Sequence, residues 1–182
     1  GISSKFGVEF DSLADVVSFC VAPSVLVYNI YCVELNTIVG SIFSFIPLIA
    51  GTVRLAKYNL ESDEDNPKSY FIGLSTPIST VTILAFMYFN NKIVGGGFYG
   101  DPRLGLSLVG VLGLLMLSPI HFPKAPLITF KSGHSNSLLL IILIVSSFSL
   151  IIWKGFALLP ICLGYIITNT ILWVYRLRTT NL

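Results

Sequence analysis

Two carboxylates four positions apart are the part of this sequence best suited to chemistry. Asp11 and Asp15 lie near the start of an apolar stretch, and Gly7 precedes Asp11 by another four residues. On a helix this spacing puts all three positions on one face. Two like charges at the mouth of a membrane helix repel each other, and a divalent cation such as Mg²⁺ or Mn²⁺ would relieve that repulsion. The pair therefore predicts a site where a cation holds substrate phosphates, with Gly7 leaving room for them.

The alternative interpretation of the acid pair is structural. Both acids then sit in the first turns of a helix, where the macrodipole favours negative charge, and are simply solvated. Two cations at the end of the next apolar stretch, Arg54 and Lys57, leave a similar choice. They either bind a lipid phosphate or an acceptor carboxylate, or they anchor the helix by reaching to the membrane surface.

Other polar groups are better explained without chemistry. The acidic run 61–65 lacks the ligand spacing of a calcium loop, which indicates a solvated loop. His121 and His134 share an inner loop with no Cys or Glu at metal-ligand spacing, and they are interpreted as loop residues. Ser12 lies beside the acids and is expected to pack between helices.

The rest of the chain is apolar enough to form helices that would position these residues in a membrane. Of its 182 residues 54% are hydrophobic and only 11% are charged, which excludes a soluble globule. The charges leave long uncharged runs, and about 20 residues suffice to cross a hydrocarbon layer of about 30 Å. The runs are continuously apolar and do not alternate, which excludes a transmembrane β-barrel. We expect an all-α, polytopic bundle with six transmembrane helices from the runs 16–33, 35–53, 69–91, 104–123, 132–153 and 155–175.

The basic residues predict the orientation of this bundle. With a cytoplasmic N-terminus and six crossings, eight of the 11 lysines and arginines fall inside and three fall outside. We therefore expect an integral protein of the cell (inner) membrane whose acid pair faces the cytoplasm. The inner group is Lys5, Arg54, Lys57, Lys68, Lys124, Lys131, Arg176 and Arg178, and the outer group is Lys92, Arg103 and Lys154.

Pro23 and three cysteines carry structural predictions. Pro23 lacks an N–H in the middle of the first run and is expected to kink the helix there, so a neighbouring helix must satisfy the carbonyl group that it leaves free. Cys20, Cys32 and Cys162 are odd in number and lie within or beside apolar runs. We interpret them as small core residues in a reducing environment, not as a disulfide framework or a metal cluster.

The acid pair belongs to a longer pattern. Gly7-x3-Asp11-x3-Asp15 resembles the second half of the signature of the CDP-alcohol phosphatidyltransferase family, D-x2-D-G-x2-A-R followed by G-x3-D-x3-D. The sequence around it is similar, within that family, to the CDP-diacylglycerol–serine O-phosphatidyltransferases. Similar segments are 5–19, 54–59, 71–74 and 116–131.

The resemblance implies roles for individual residues. Asp11 and Asp15 match the third and fourth aspartates of a two-metal site, in which the third is a metal ligand and the fourth is a ligand or general base. We expect Asp15 to be catalytic, as the acceptor of the proton of the attacking hydroxyl. Gly7, Arg54 and Lys57 are the expected substrate-binding residues, because all three match positions of the family segments.

The first half of the signature would precede Gly1 and does not occur in this sequence. By this comparison two aspartates, an arginine and the family's first two helices are missing, and the complete bundle would have about eight helices. We expect residues 1–182 to form one integral-membrane domain. We also expect this domain by itself to be inactive, because half of the metal site is absent.

The activity implied by the resemblance is a step of phospholipid synthesis. A transferase of this kind moves the phosphatidyl group from CDP-diacylglycerol to L-serine, with Mg²⁺ or Mn²⁺ as cofactor, and releases phosphatidylserine and CMP. The expected partners are these substrates and membrane lipids, not nucleic acid, and a homodimer is left open. Two alternatives remain: the same transfer to glycerol phosphate or inositol phosphate, and an ion-coupled transporter in which the two aspartates bind the ion.

Overall fold

The chain folds as a bundle of helices with one small sheet at its end. The computed structural model describes residues 5–33, 35–61, 70–94, 101–123, 145–146, 148–150, 152–153 and 155–180. Regular structure in these residues is almost entirely helical, which confirms the predicted helical membrane bundle. The elements are α1 (Lys5–Val16), α2 (Ala22–Val27), α3 (Thr37–Ser44), α4 (Ile46–Glu61), β1 (Tyr70–Ile72), α5 (Thr76–Val94), α6 (Pro102–Leu117), β2 (His121–Pro123) and α7 (Leu158–Thr180), with π-helical segments Val17–Val21 and Tyr28–Cys32.

Three helical stretches among the described residues are long and apolar enough to cross a membrane. They are Glu9–Cys32, Thr37–Leu60 and Leu158–Arg178. Helices α5 and α6 have 19 and 16 residues, and thus lengths of about 29 and 24 Å, and they cover most of two further predicted runs. The remaining run, 132–153, lies mostly outside the described residues, so a total of six crossings stays a prediction.

The first stretch alternates between α-helical and π-helical turns. Pro23 lies in the first turn of α2, directly after the π-helical segment Val17–Val21. In an α-helix the carbonyl of Phe19 would accept from the N–H of residue 23, which proline lacks. The hydroxyl of Thr80 on α5 donates to this carbonyl at 2.7 Å instead. A neighbouring helix therefore satisfies the freed carbonyl, as the sequence predicted.

The second stretch crosses as the single helix that the sequence predicted, but it is interrupted by a one-residue turn at Phe45. Helix α3 stops just before Phe45, and α4 starts just after it. Pro47 in the first turn of α4 explains the break, because its nitrogen has no hydrogen to donate to the carbonyl of Phe43. Helix α4 then continues without interruption to Glu61, and Arg54 lies on this second part.

The core lies where α4, α5 and α6 meet the first stretch. Helix α6 runs parallel to α4, since Met116 lies near Gly51 and Gly113 lies near Ile46. The predicted core cysteines, Cys20, Cys32 and Cys162, are all buried, which confirms their position in the core. Fully buried side chains of this core include Val27, Leu74, Val109, Leu112 and Phe122.

Two short strands form a sheet that the sequence did not predict. Strand β1 pairs with β2 in antiparallel register, with Phe71 opposite Phe122. His121, interpreted as a loop residue, is an exposed residue of β2 whose ring centroid lies 4.3 Å from that of Tyr70. The run that begins at residue 69 thus starts as a strand, and its helix begins only at Thr76.

Candidate active site

Helix α1 carries the two acidic side chains in its second half, and neither lies in the first turn, where the macrodipole alternative would place them. Asp11 and Asp15 are four residues apart, which places them about 6 Å apart along one face of the helix. Asp11 is exposed and Asp15 is half-buried, while Gly7 is exposed one turn earlier. The predicted common face is therefore confirmed, and it is partly covered only at its Asp15 end.

A close contact fixes the first stretch against α4. A Cβ atom on Gly51 would overlap the Sγ atom of Cys20, so glycine is required for this approach. Nearer the acidic end, Nδ2 of Asn59 donates to Oγ of Ser12 at 3.0 Å. From Ser12 to Cys20 the residue numbers rise along the first stretch, while their partners on α4 fall from Asn59 to Gly51. The two helices are therefore antiparallel. Ser12 thus packs between helices, as predicted, and the acidic part of α1 faces the last turns of α4, which include Arg54.

Arg54 is buried although it carries a full charge. Only 6% of its surface is exposed. Its guanidinium carbon lies 5.7 Å from the centroid of the Phe71 ring, and Asp15 lies on the facing helix α1. Among the described residues its Nε atom finds no hydrogen-bond partner. Buried donors are rarely left this way, because they lose their hydrogen bonds to water and gain nothing in return.

The small sheet holds Phe71 over the guanidinium group. The Phe71 ring also contacts Tyr58, with the centroids 5.5 Å apart. Directly after β1, Gly73 adopts a φ of 76° and donates its N–H to the carbonyl of Ile120 at 2.9 Å. A Cβ atom at Gly73 would overlap the carbonyl of Met116, so both the conformation and the space demand glycine. The turn therefore fixes the strand that carries Phe71.

Lys57 follows Arg54 by three residues on α4 but lies in a different environment. Its side chain is exposed, whereas Arg54 is buried in the contact between helices. A flexible ammonium group at the surface can reach an anion in many geometries, while a buried guanidinium offers a fixed fork of donors. Packing therefore gives different environments to two cations for which the sequence predicted the same role.

The donors at this site suit part of a metal centre. In the described ranges, no group of three or more His, Cys, Asp and Glu side chains is placed to hold an ion. Asp11 and Asp15 nevertheless offer carboxylate oxygens one turn apart, the ligand type that Mg²⁺ and Mn²⁺ prefer. Of the other polar candidates, His134 and the acids 63–65 lie outside the described residues.

Three residues near Arg54 had no role in the sequence interpretation. They are Asn59, Phe71 and Thr76. Thr76 is 1% exposed, and its Oγ1 atom has no partner in the described part of the chain. Asn59 and Thr76 carried a signal, since each is a polar residue at the end of an apolar helix. Phe71 begins the similar segment 71–74, but its residue type did not indicate a contact with Arg54, because that contact depends on the pairing of two distant strands.

Known proteins resemble this chain over most of its length. The family model of the CDP-alcohol phosphatidyltransferases matches residues 1–145. The chain belongs to the CDP-alcohol phosphatidyltransferase family. Members of this family generally depend on a divalent metal, in keeping with the chemistry of the acid pair. The match spans α1, α4 and both strands, and hence every residue of the candidate site described above.

Curated relatives in this family have more specific names. A CDP-diacylglycerol–serine O-phosphatidyltransferase of Helicobacter pylori is 35% identical over 176 residues, which are 95% of this chain and 70% of the relative. A protein of the same name from Methanocaldococcus jannaschii is 34% identical over 87% of this chain and 70% of that relative. An archaetidylserine synthase of Methanothermobacter thermautotrophicus is 31% identical over 65% of this chain and 46% of its own length. All three names include serine.

Proposed function

We propose that the protein containing this sequence transfers the phosphatidyl group of CDP-diacylglycerol to L-serine, forming phosphatidylserine and CMP. The observation that carries the proposal is the acid pair, Asp11 and Asp15, on one open helix face beside the buried Arg54. The names of the relatives support serine as the acceptor. The protein is accordingly a transferase of phospholipid synthesis.

Asp11 and Asp15 would hold the divalent metal, Mg²⁺ or Mn²⁺, as part of a two-metal site. When bound, such an ion neutralises the diphosphate of the substrate and orients it for displacement. The exposed carboxylate of Asp11 is accessible from the surface, where the diphosphate of a lipid lies. The half-buried carboxylate of Asp15 extends the same face toward the contact with α4.

Asp15 is also the proposed proton acceptor. In the transfer, the serine Oγ bonds to the phosphorus that carries diacylglycerol, and the bond between this phosphorus and the CMP oxygen breaks. The hydroxyl proton passes to a carboxylate oxygen of Asp15, and CMP leaves with the electron pair. General-base help of this kind accelerates reactions by about 10²–10⁴-fold.

Gly7 and Lys57 are proposed to bind the nucleotide and phosphate part of the substrate. Both are exposed, at the start of α1 and near the end of α4. Gly7 has no side chain, so a phosphate can approach the helix backbone closely. Lys57 contributes a mobile positive charge for phosphate oxygens. Arg54 completes the proposed substrate contacts from its buried position.

The protein lies in a membrane, and we place its site at the cytoplasmic face of the cell (inner) membrane. The distribution of basic residues supports this orientation. Asp101 caps the start of α6, at the other end of the bundle from Lys57. In a variant without the native cysteines, Asp101→Cys should react with an impermeant maleimide from outside, and Lys57→Cys only after permeabilisation. Reaction of Asp101→Cys from the cytoplasmic side alone would contradict the orientation.

The acceptor is tested by product formation. The full-length protein is supplied with CDP-diacylglycerol in detergent micelles, Mn²⁺, and serine, glycerol phosphate or inositol phosphate in separate reactions. We expect serine alone to stimulate CMP release, with phosphatidylserine detected by mass spectrometry. Turnover with a sugar-alcohol phosphate and none with serine would refute the serine assignment. Absence of CMP release with every acceptor, together with cation-driven flux into vesicles, would favour a transporter.

A further inference from the structure

Two buried polar atoms are left unpaired on one side of α4. Nε of Arg54 and Oγ1 of Thr76 lack partners among the described residues, although these side chains are only 6% and 1% exposed. The Cγ2 atom of Thr76 lies 3.3 Å from the position that a Cβ atom on Gly51 would take. Gly51 precedes Arg54 by three residues, so the two positions are neighbours on α4. The unpaired atoms therefore line the same part of this helix.

We propose that this region binds the carboxylate of the amino-acid acceptor, and that Arg54 is the residue that selects it. The inference rests on the proposed function and specifies one part of it. We call the region the Arg54 subsite and define it by Asp15, Arg54, Phe71 and Thr76. A carboxylate offers two acceptor oxygens in one plane, which matches the planar fork of a guanidinium group. It would give the Nε donor the partner that the described residues do not supply.

Burial separates the Arg54 subsite from the phosphates of the lipid substrate. A diphosphate is large and multiply charged, and it requires the exposed residues Asp11, Gly7 and Lys57. Arg54 instead lies between helices and beneath the Phe71 ring. Only a small anion suits this position, and the carboxylate of an amino acid is the small anion among the two substrates.

The neighbouring charges also fit a zwitterionic acceptor. Asp15 lies on the helix that faces Arg54, so a further simple anion at this position would add repulsion between two carboxylates. An amino acid brings its own ammonium group, which offsets that repulsion. In serine only two carbon atoms separate the hydroxyl oxygen from the carboxylate carbon. A carboxylate held at Arg54 therefore brings the hydroxyl toward Asp15, the proposed proton acceptor.

The first test changes the substrate and leaves the protein intact. Full-length wild-type protein is given serine, serinamide or ethanolamine at equal concentrations, with CDP-diacylglycerol and Mn²⁺. We expect kcat/KM for serinamide and ethanolamine to be lower by about 10- to 100-fold, the loss typical of a charge-assisted hydrogen bond. Equal kcat/KM for serine and serinamide would overturn the proposal. A wild-type protein that uses none of the three refutes the proposed function itself, which is a different outcome.

The second test compares the two cations of α4. Arg54→Gln should raise the KM for serine by about 10- to 100-fold and leave the KM for CDP-diacylglycerol nearly unchanged. It should also remove most of the preference for serine over serinamide. Lys57→Gln should do the reverse, raising the KM for the lipid. Arg103→Gln, an exposed arginine at the start of α6, is the control with both constants unchanged.

Folding is checked separately, because Arg54 is buried. Arg54→Lys keeps the charge and should restore part of the activity but not the bidentate selection of a carboxylate. Serine-independent CMP release by each variant reports whether the lipid and metal part of the site is intact. If Arg54→Gln loses this CMP release while serine binding is kept, Arg54 contacts the lipid phosphates and the proposal is wrong.

Discussion

Polar groups inside this bundle occur in two contrasting regions. Around Pro23, the carbonyl that proline leaves free accepts a hydrogen bond from Thr80 of a neighbouring helix. Around Arg54, the Nε donor and the hydroxyl of Thr76 are equally buried but lack partners among the described residues. In the first region the protein itself supplies the donor that the freed carbonyl needs, while the second offers unused hydrogen-bonding capacity near a half-buried carboxylate.

The contrast separates polar groups that build the fold from those proposed to act on a ligand. A structural polar group in a membrane protein must be satisfied by the protein itself, because lipid offers no hydrogen bonds. A group that binds a substrate must keep its capacity until the substrate arrives. Ser24 is an exception within the Pro23 region, since its buried Oγ also has no partner in the described ranges, and nothing in the structure explains it.

Removing either acid of the pair Asp11 and Asp15 should have the largest effect. We expect Asp11→Asn and Asp15→Asn to lower kcat by about 10²–10⁴-fold, because each loses a metal ligand and Asp15→Asn also loses the base. Thermal unfolding in detergent should change little, since Asp11 is exposed and Asp15 is only half-buried. Serine-dependent CMP release measures the activity.

Glu9→Gln is the matched control for the acid pair. Glu9 is an exposed acid on α1 that lies off the face shared by the two aspartates. Its activity should stay close to that of the wild type. Normal activity of Asp11→Asn in Mg²⁺ or Mn²⁺ would contradict the metal assignment and leave the two regions functionally alike.

Pushing α4 away from the first stretch, Glu9–Cys32, should lower stability and activity together. Gly51→Ala places a Cβ atom against the sulfur of Cys20, and such overpacking typically costs about 1–3 kcal/mol. The displacement would also move Asp15 relative to Arg54, so kcat should fall. Cys20→Ala in the same protein removes the sulfur and should restore both properties.

Gly110→Ala on α6 is the control for this substitution, because a Cβ atom there meets nothing within 4 Å. It should be neutral or slightly stabilising, since alanine favours the helix. Equal destabilisation by Gly51→Ala and Gly110→Ala, measured by thermal unfolding, would show that the close approach of the helices is not what Gly51 provides.

Loss of the Thr80 hydroxyl should destabilise the Pro23 region by about 1 kcal/mol, because the carbonyl of Phe19 loses its donor. We expect Thr80→Val to unfold earlier on heating and Thr80→Ser to resemble the wild type. In a Pro23→Ala background the backbone N–H of residue 23 becomes available, so Thr80→Val should then cost less. The same cost in both backgrounds would disprove the compensation.

The smallest expected effect concerns the hydrogen bond between Asn59 and Ser12. In a double-mutant cycle, Asn59→Ala and Ser12→Ala should show a coupling of about 0.5 kcal/mol, typical of polar contacts between membrane helices. Asn29→Ala is the control, because Asn29 donates to Val25 within its own helix. Additive effects of the first two substitutions would show that this contact does not link α1 to α4.

The sequence by itself determined the features that depend on helical periodicity and on the chemistry of single residues. Helical spacing alone put Asp11 and Asp15 on one face, and the missing N–H of Pro23 alone required a donor from elsewhere. The apolar runs likewise predicted most of the helices. The break at Phe45 had a sequence signal in Pro47, but a proline near a helix start is compatible with either a kink or a new helix.

Only the tertiary structure decided which polar side chains are buried and what covers them. Arg54 and Lys57 are both cations on one helix three residues apart, yet packing against the first stretch buries only Arg54. Phe71 reaches the guanidinium because β1 pairs with β2, and strands of three residues are too short to show a periodic pattern. Such contacts join segments far apart in the chain, and their energies depend on the arrangement of the helices, which no local pattern specifies.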